Sequence, residues 1–102
     1  MSAKLTIGFL GAGKMATALA RGFIRAKIVT ANQVLASDSV PAARAAFAKE
    51  TKAKVVASNV AVVQAATVVF LAVKPDQTAP VLTEVRDHFT AAHLLISIAA
   101  GV

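Results

Sequence analysis

The segment Leu5-Thr6-Ile7-Gly8-Phe9-Leu10-Gly11-Ala12-Gly13-Lys14-Met15-Ala16 constrains the fold of this chain more than any other. It reads as a buried strand running into a glycine turn and then a helix. Gly11, Gly13 and Ala16 fall in the spacing G-x-G-x-x-G/A, which marks a dinucleotide-binding turn when a strand precedes it and a helix follows. Gly11 allows the tight turn out of the strand. Gly13 has no Cβ, so a pyrophosphate can approach the backbone. Ala16 lets the helix pack close to the strand. The helix N-terminus offers free N–H groups and a partial positive charge to the phosphates. Two readings without a nucleotide compete. One is a purely structural strand–helix turn. The other is a signal peptide, with Lys4 as its basic flank, residues 5–10 as its apolar stretch and Ala18-Leu19-Ala20 as a cleavage site. Gly8, Gly11, Gly13 and Lys14 interrupt the run between residue 5 and that cleavage site, which argues against the second.

Strand and helix signals alternate along the rest of the chain. Residues 5–10 form the first strand. A helix follows over residues 13–27, with Met15, Leu19 and Phe23 on one face and Lys14, Arg21 and Arg25 largely off it. Residues 34–37 form strand two. Ser39 is expected to cap the next helix, with Pro41 near its first position, and that helix runs to about Glu50 with Phe47 inside. Strand three covers residues 54–57, and Ser58 or Asn59 caps a brief helix to Ala65. Residues 67–73 form the strongest strand, β-branched and uncharged, ended by Lys74-Pro75. Thr78 and Pro80 open another helix, with Val81, Leu82, Val85 and Phe89 inward. Strand five begins at His93 or Leu94 and ends at Ile98. This alternation predicts an α/β fold: a parallel sheet in the order 3-2-1-4-5, with right-handed crossovers and helices on both faces. The ligand belongs at the carboxyl ends of strands one and four, where the order reverses.

The 102 residues allow one small domain. An apolar fraction of 57% with only 16% charged residues suits a sheet buried on both faces and excludes disorder. Residues 60–73 are the longest apolar region at 14 positions, short of the roughly 18–20 that span a bilayer, so no membrane partner is expected. Cysteine is absent, which excludes disulfides and thiolate metal sites and permits a reducing, cytoplasmic location. The net charge of +6 invites a nucleic-acid partner. None is expected, because the basic residues are scattered and no tyrosine or tryptophan is available to stack on bases. A positive surface equally favours a phosphate-bearing cofactor.

An acidic residue at the end of strand two normally accepts the adenosine ribose hydroxyls, and Asp38 stands there, 25 positions after Gly13. A carboxylate favours NADH because it repels a 2′-phosphate. Ser37, Ser39 and Arg44 pull toward NADPH, and charge alone leaves the choice open. A bland reading of Ser37-Asp38-Ser39 is a helix-capping turn. Lys74 and Pro75 leave strand four at the binding edge, and Lys74 is expected to touch the nicotinamide-side ribose or phosphate, or to be merely solvated. Ala99-Ala100-Gly101 leave room for a flat ring at the end of strand five. His88 and His93 lack metal-ligand or triad spacing, and no catalytic residue or metal site is assigned to this chain. Glu50, Glu84 and Asp87 read as solvated helix positions.

Three segments in order carry a family resemblance: Gly8-Phe9-Leu10-Gly11-Ala12-Gly13-Lys14-Met15-Ala16, Phe70-Leu71-Ala72-Val73-Lys74-Pro75 and Ile96-Ser97-Ile98-Ala99-Ala100-Gly101-Val102. Together they resemble the N-terminal, Rossmann-type domain of the pyrroline-5-carboxylate reductase family over the whole chain. The resemblance implies an oxidoreductase of proline biosynthesis that reduces the imine 1-pyrroline-5-carboxylate to proline with NADPH or NADH. Carried over by motif, Leu10, Gly11, Ala12, Gly13, Lys14 and Met15 cradle the pyrophosphate. Ser37 and Asp38 face the adenosine ribose or its 2′-phosphate, and Asn59 also contacts the adenosine side. Ala72, Val73, Lys74 and Pro75, with Ile98, Ala99 and Ala100, line the path to the nicotinamide.

Asp38 departs from relatives that place a serine near the 2′-phosphate. The family's C-terminal helical domain, which dimerises and supplies most of the substrate site, is not in these 102 residues. The expectation is therefore residues 1–102 as a nucleotide-binding domain with little reductase activity alone, prone to self-association, and homo-oligomeric when full length. The alternatives are a non-catalytic nucleotide-sensing module, or the cofactor domain of a β-hydroxyacid dehydrogenase or an F420-dependent NADP reductase.

Overall fold

The computed structural model of the chain describes residues 5–90 and 93–97. The elements alternate as expected: β1 (Ile7–Leu10), α1 (Lys14–Arg25), β2 (Val34–Ser37), α2 (Pro41–Thr51), β3 (Lys54–Val56), α3 (Asn59–Ala65), β4 (Val68–Leu71), α4 (Thr78–Val85) and β5 (Leu94–Ser97). Short 3-10 turns occupy Ala31–Gln33, Pro75–Gln77 and Arg86–His88. The strands form one parallel sheet in the order β3-β2-β1-β4-β5. In its register Leu10 stands beside both Ser37 and Leu71, with Val56 beside Ser37 and Ser97 beside Leu71. All five carboxyl ends thus share one edge.

Continuous apolar strands are required because helices cover both faces. Successive side chains along a strand point to opposite faces. Ile7 and Phe9 face one core with Val34, Ala36 and Phe70, closed by Ala16 and Ala20 of α1 and Phe47 of α2. Phe9 stacks on Phe70 with ring centroids 5.2 Å apart and meets Phe47 at 5.9 Å, while Phe23 of α1 lies 5.6 Å from Phe70. Leu10, Leu35, Val69 and Leu71 face the second core, closed by Val62 and Val63 of α3 and Val85 of α4.

Two local expectations change. Met15 is 56% exposed, and α1 instead buries Ala16 and Ala20, with Leu19, Phe23 and Ile24 partly buried beside them. Small residues occupy the contact because α1 starts directly above the end of β1, where a long side chain has no room. The cap of α2 is Val40 rather than Ser39, with Pro41 in the first turn as expected. Ser58 resolves the choice at α3: its Oγ accepts from Ala61 N at 3.2 Å, which leaves Asn59 free for another task. The signal-peptide reading places its apolar stretch in the central strand and Ala18-Leu19-Ala20 inside α1; Lys4 lies outside the described residues.

β5 is an edge strand of the sheet, and its Leu94 and Leu95 are 56% and 39% exposed. Exposed apolar edges favour self-association. The opposite situation holds in the sheet centre at Gly8. A Cβ there would sit 2.5 Å from Val62 Cγ1 and 2.9 Å from Ala66 Cβ. The second core thus depends on α3 riding directly on the β1 backbone. Gly8→Ala is expected to destabilise the fold by about 1–3 kcal/mol, the usual cost of overpacking, read as a lower urea midpoint.

Candidate functional site

The glycine turn begins with Gly11 at φ +108°, a conformation that L side chains rarely adopt. A Cβ there would lie 2.8 Å from both the carbonyl carbon and the oxygen of Ala72. The exit of β1 therefore presses on the exit of β4. Hydrogen bonds fix both sides of this contact: Gly11 N donates to Ser37 O at 2.8 Å, and Ala72 N donates to Leu10 O at 2.8 Å. Gly13 differs. Nothing lies within 4 Å of where its Cβ would be, so its open side faces free space. Gly13 is also the cap of α1, and neither a side-chain cap nor an acidic residue in the first turn satisfies the α1 amides. They remain available to an anion.

A cleft of about 510 Å³ opens at this edge, within the usual range for small-molecule sites. It is lined by Gly11 and Gly13 of the turn, Ser37, Asp38, Ser39, Val40 and Ala43 from β2 into α2, and Ala57 and Asn59 before and at the start of α3. Ala72, Val73 and Lys74 follow β4, and Gln77, Pro80 and Val81 complete the wall. The open side of Gly13, the uncapped α1 amides and the cleft volume together fit a dinucleotide phosphate.

Asp38 ties the cleft together. Its Oδ2 accepts from Ala12 N at 2.9 Å and its Oδ1 accepts from Val40 N at 2.9 Å. One carboxylate thereby joins the glycine turn to the start of α2, which is why Ser39 is not needed as a cap. Behind it, Arg44 Nη1 donates to Asp38 O at 2.6 Å, and among the described residues the guanidinium forms no ion pair. Ser37 is fully buried, and its hydroxyl donates to Asn59 Oδ1, with Phe9 O at 3.5 Å. Asn59 Nδ2 donates to Glu84 Oε1 at 2.9 Å. Glu84, expected as a solvated helix position, is exposed but bonded.

The structure brings Gly11, Gly13, Ser37, Asp38, Asn59, Ala72, Val73 and Lys74 to one cleft. Leu10 is buried in the second core, so only its backbone borders the turn. Ala12 is buried, and its amide is held by Asp38. Ala12 and Lys14 line a separate groove of about 430 Å³ between α1 and α2, where Arg21 and Glu50 pair at 3.5 Å. Met15 points outward and Pro75 starts the 3-10 turn, neither lining the cleft. Ile98, Ala99 and Ala100 lie outside the described residues. His93 is structural: its Nδ1 accepts from Thr90 N at 2.9 Å, so its Nε2 donates to Val63 O at 2.7 Å. Among the described residues no group of His, Cys, Asp and Glu forms a metal site, and no helix is long and apolar enough to cross a membrane.

Sequence reasoning passed over Gln77, Pro80, Val81 and the tie from Asn59 to Glu84. No local pattern announces them, because Asn59 and Glu84 are 25 positions apart.

Comparison with known proteins places this geometry among oxidoreductases. The family described as "NADP oxidoreductase coenzyme F420-dependent" matches residues 6–101. A pyrroline-5-carboxylate reductase of Methanosarcina acetivorans is 42% identical over 100 residues, covering 94% of this chain and 36% of that protein. One from Pisum sativum is 37% identical over 102 residues, covering the whole chain and 37% of that protein. The chain therefore spans little more than a third of the length of these relatives. A Plasmodium falciparum pyrroline carboxylate reductase solved with NADP bound superposes with a TM-score of 0.82 at 28% identity, covering 97% of this chain and 35% of that one.

Asp38→Asn keeps one oxygen that accepts and replaces the other with an NH2 that cannot, so one of the bonds from Ala12 N and Val40 N is lost. A loss of about 1–2 kcal/mol in unfolding free energy is expected, measured by urea titration followed by circular dichroism.

Proposed function

This chain belongs to the family described as NADP oxidoreductase, coenzyme F420-dependent, and we propose that it is the NAD(P)H-binding half of a pyrroline-5-carboxylate reductase. The observation that carries the reading is the cleft at the carboxyl edge, lined by the open side of Gly13 below the uncapped α1 amides and by Asp38 bonded to the glycine turn. The family description shares its name with one alternative weighed on sequence. The curated relatives that cover the chain carry the reductase's name and favour the imine reduction.

In this reading the α1 amides and the Gly13 backbone hold the pyrophosphate. Asp38 and Ser39 frame the adenosine ribose and its 2′ position, with Asn59 held beside them by Ser37 and Arg44 behind Asp38. Ala72, Val73 and Lys74 run along the nicotinamide side. When bound, the nicotinamide supplies a hydride to the imine carbon. The chain's own residues orient the dinucleotide and fix its polarity, which is the protein's share of such chemistry. The substrate site and the homo-oligomer contacts are assigned to the part of the parent protein that corresponds to the remaining length of the relatives. The isolated 102-residue chain should accordingly bind cofactor without turnover. Reduction of 1-pyrroline-5-carboxylate by this chain at the rate of an intact reductase would place the substrate site here instead.

Titration with NADH and NADPH, followed by nicotinamide fluorescence, tests the nucleotide reading against a purely structural turn. Saturable binding is expected for the native chain. Gly13→Val is expected to weaken it roughly tenfold or more by filling the approach to the pyrophosphate. Because a Cβ there has no protein atom within 4 Å, its stability cost should stay at about 1 kcal/mol, the scale of a changed helix cap. Equal binding by both proteins would reduce the glycine turn to a structural device.

A further inference from the structure

We propose that Glu84 is a positioning residue of this cleft, setting which way round the Asn59 amide stands. The inference rests on the nucleotide-binding reading above and adds a residue to it. Asn59 lines the cleft, and its two polar atoms are held by different partners: Nδ2 by Glu84 Oε1 at 2.9 Å, Oδ1 by the Ser37 hydroxyl.

The donor and acceptor inventory shows which partner decides. A hydroxyl both donates and accepts, so Ser37 can satisfy either end of the amide. With Oδ1 toward it, Ser37 donates to Asn59. With Nδ2 toward it, Ser37 accepts from Asn59 and turns its proton to Phe9 O, 3.5 Å away. Ser37 is fully buried on β2 and cannot move aside, yet it is indifferent to the flip. An ionised carboxylate only accepts. Glu84 can face only the N–H end, and it alone removes the ambiguity. The amide then presents one fixed N–H and one fixed lone pair beyond those already used. A dinucleotide on the adenosine side meets a defined pattern rather than two interchanging ones.

Glu84 sits on the exposed side of α4, one turn beyond Pro80 and Val81 of the cleft wall, so its replacement leaves both cores untouched. The test compares the native chain, Glu84→Ala and Glu84→Gln. NADPH and NADH titrations are run on each, and the Asn59 side-chain amide is followed by ¹⁵N NMR with the backbone spectrum as the control for folding. In Glu84→Ala the Asn59 amide protons should broaden or exchange faster while the backbone spectrum is retained. Dinucleotide affinity should fall about two- to tenfold, the range for one net hydrogen bond. Glu84→Gln should not restore it fully, because a glutamine amide accepts either orientation of Asn59. An unchanged Asn59 amide, or affinity that is unchanged in both variants, overturns the proposal. So does tighter NADPH binding in both variants, which would make Glu84 a repelling charge only. If the native chain binds neither dinucleotide, the functional reading falls and this proposal with it. Native binding with unaffected variants removes this proposal alone.

Discussion

The contact between Gly11 and Ala72 is the constraint on which the rest of the site depends. At φ +108°, with Ala72 backbone atoms 2.8 Å from where a Cβ would be, the exits of β1 and β4 touch main chain to main chain. Close approach of this kind is available only to glycine. It sets the strands' carboxyl ends level and aims the following residues across the edge of the sheet. The amide of Gly11 is spent on Ser37 O and the carbonyl of Leu10 on Ala72 N, so the turn is anchored to β2 on one side and β4 on the other. Gly13 then borders the cleft with nothing within 4 Å of where a Cβ would be.

Loops at such an edge are mobile unless something ties them, and here polar side chains do so. Asp38 spans the amides of Ala12 and Val40, and Asn59 spans Ser37 and Glu84. Between them, these two side chains link the glycine turn, β2, α2, α3 and α4. Hydrogen bonds to charged groups contribute about 1.5–3 kcal/mol each where they are shielded, and less where exposed as at Glu84. Asp38 therefore has a structural task that is independent of the ribose contact proposed for it. Arg44, bonded to the Asp38 carbonyl, adds positive charge beside the same carboxylate. A cation and an anion at the same strand end explain why charge counting there leaves the cofactor preference open.

Much of the architecture was legible because parallel sheets covered on both faces leave strong local marks. Apolar runs at residues 5–10 and 67–73, with helical periodicity between, led to the sheet order that the structure shows. Boundaries were less readable. Strand four shrinks to Val68–Leu71, since Ala72 onward follows the turn imposed by Gly11 rather than the ladder. Lys52, the C-cap of α2, and Lys27, just after α1, are left-handed positions that usually signal themselves with glycine, so lysine hid them. Met15 looked inward by periodicity, but periodicity cannot tell which stripe of a helix meets a strand end where only alanine fits.

By itself the sequence determined the class of fold and the edge of the sheet where the cleft opens. Strand-to-helix alternation and the G-x-G-x-x-A spacing are local patterns, written in consecutive residues. It also placed Gly11, Gly13, Asp38, Asn59 and Lys74 at the right edge, because each follows a strand. Only the tertiary structure decided what those residues do to one another. The two bonds of the Asp38 carboxylate, the orientation of the Asn59 amide and the need for Gly8 beneath Val62 join residues 2 to 54 positions apart. Such partners are chosen by packing and by the matching of donors to acceptors in space, and separation along the chain carries no record of either.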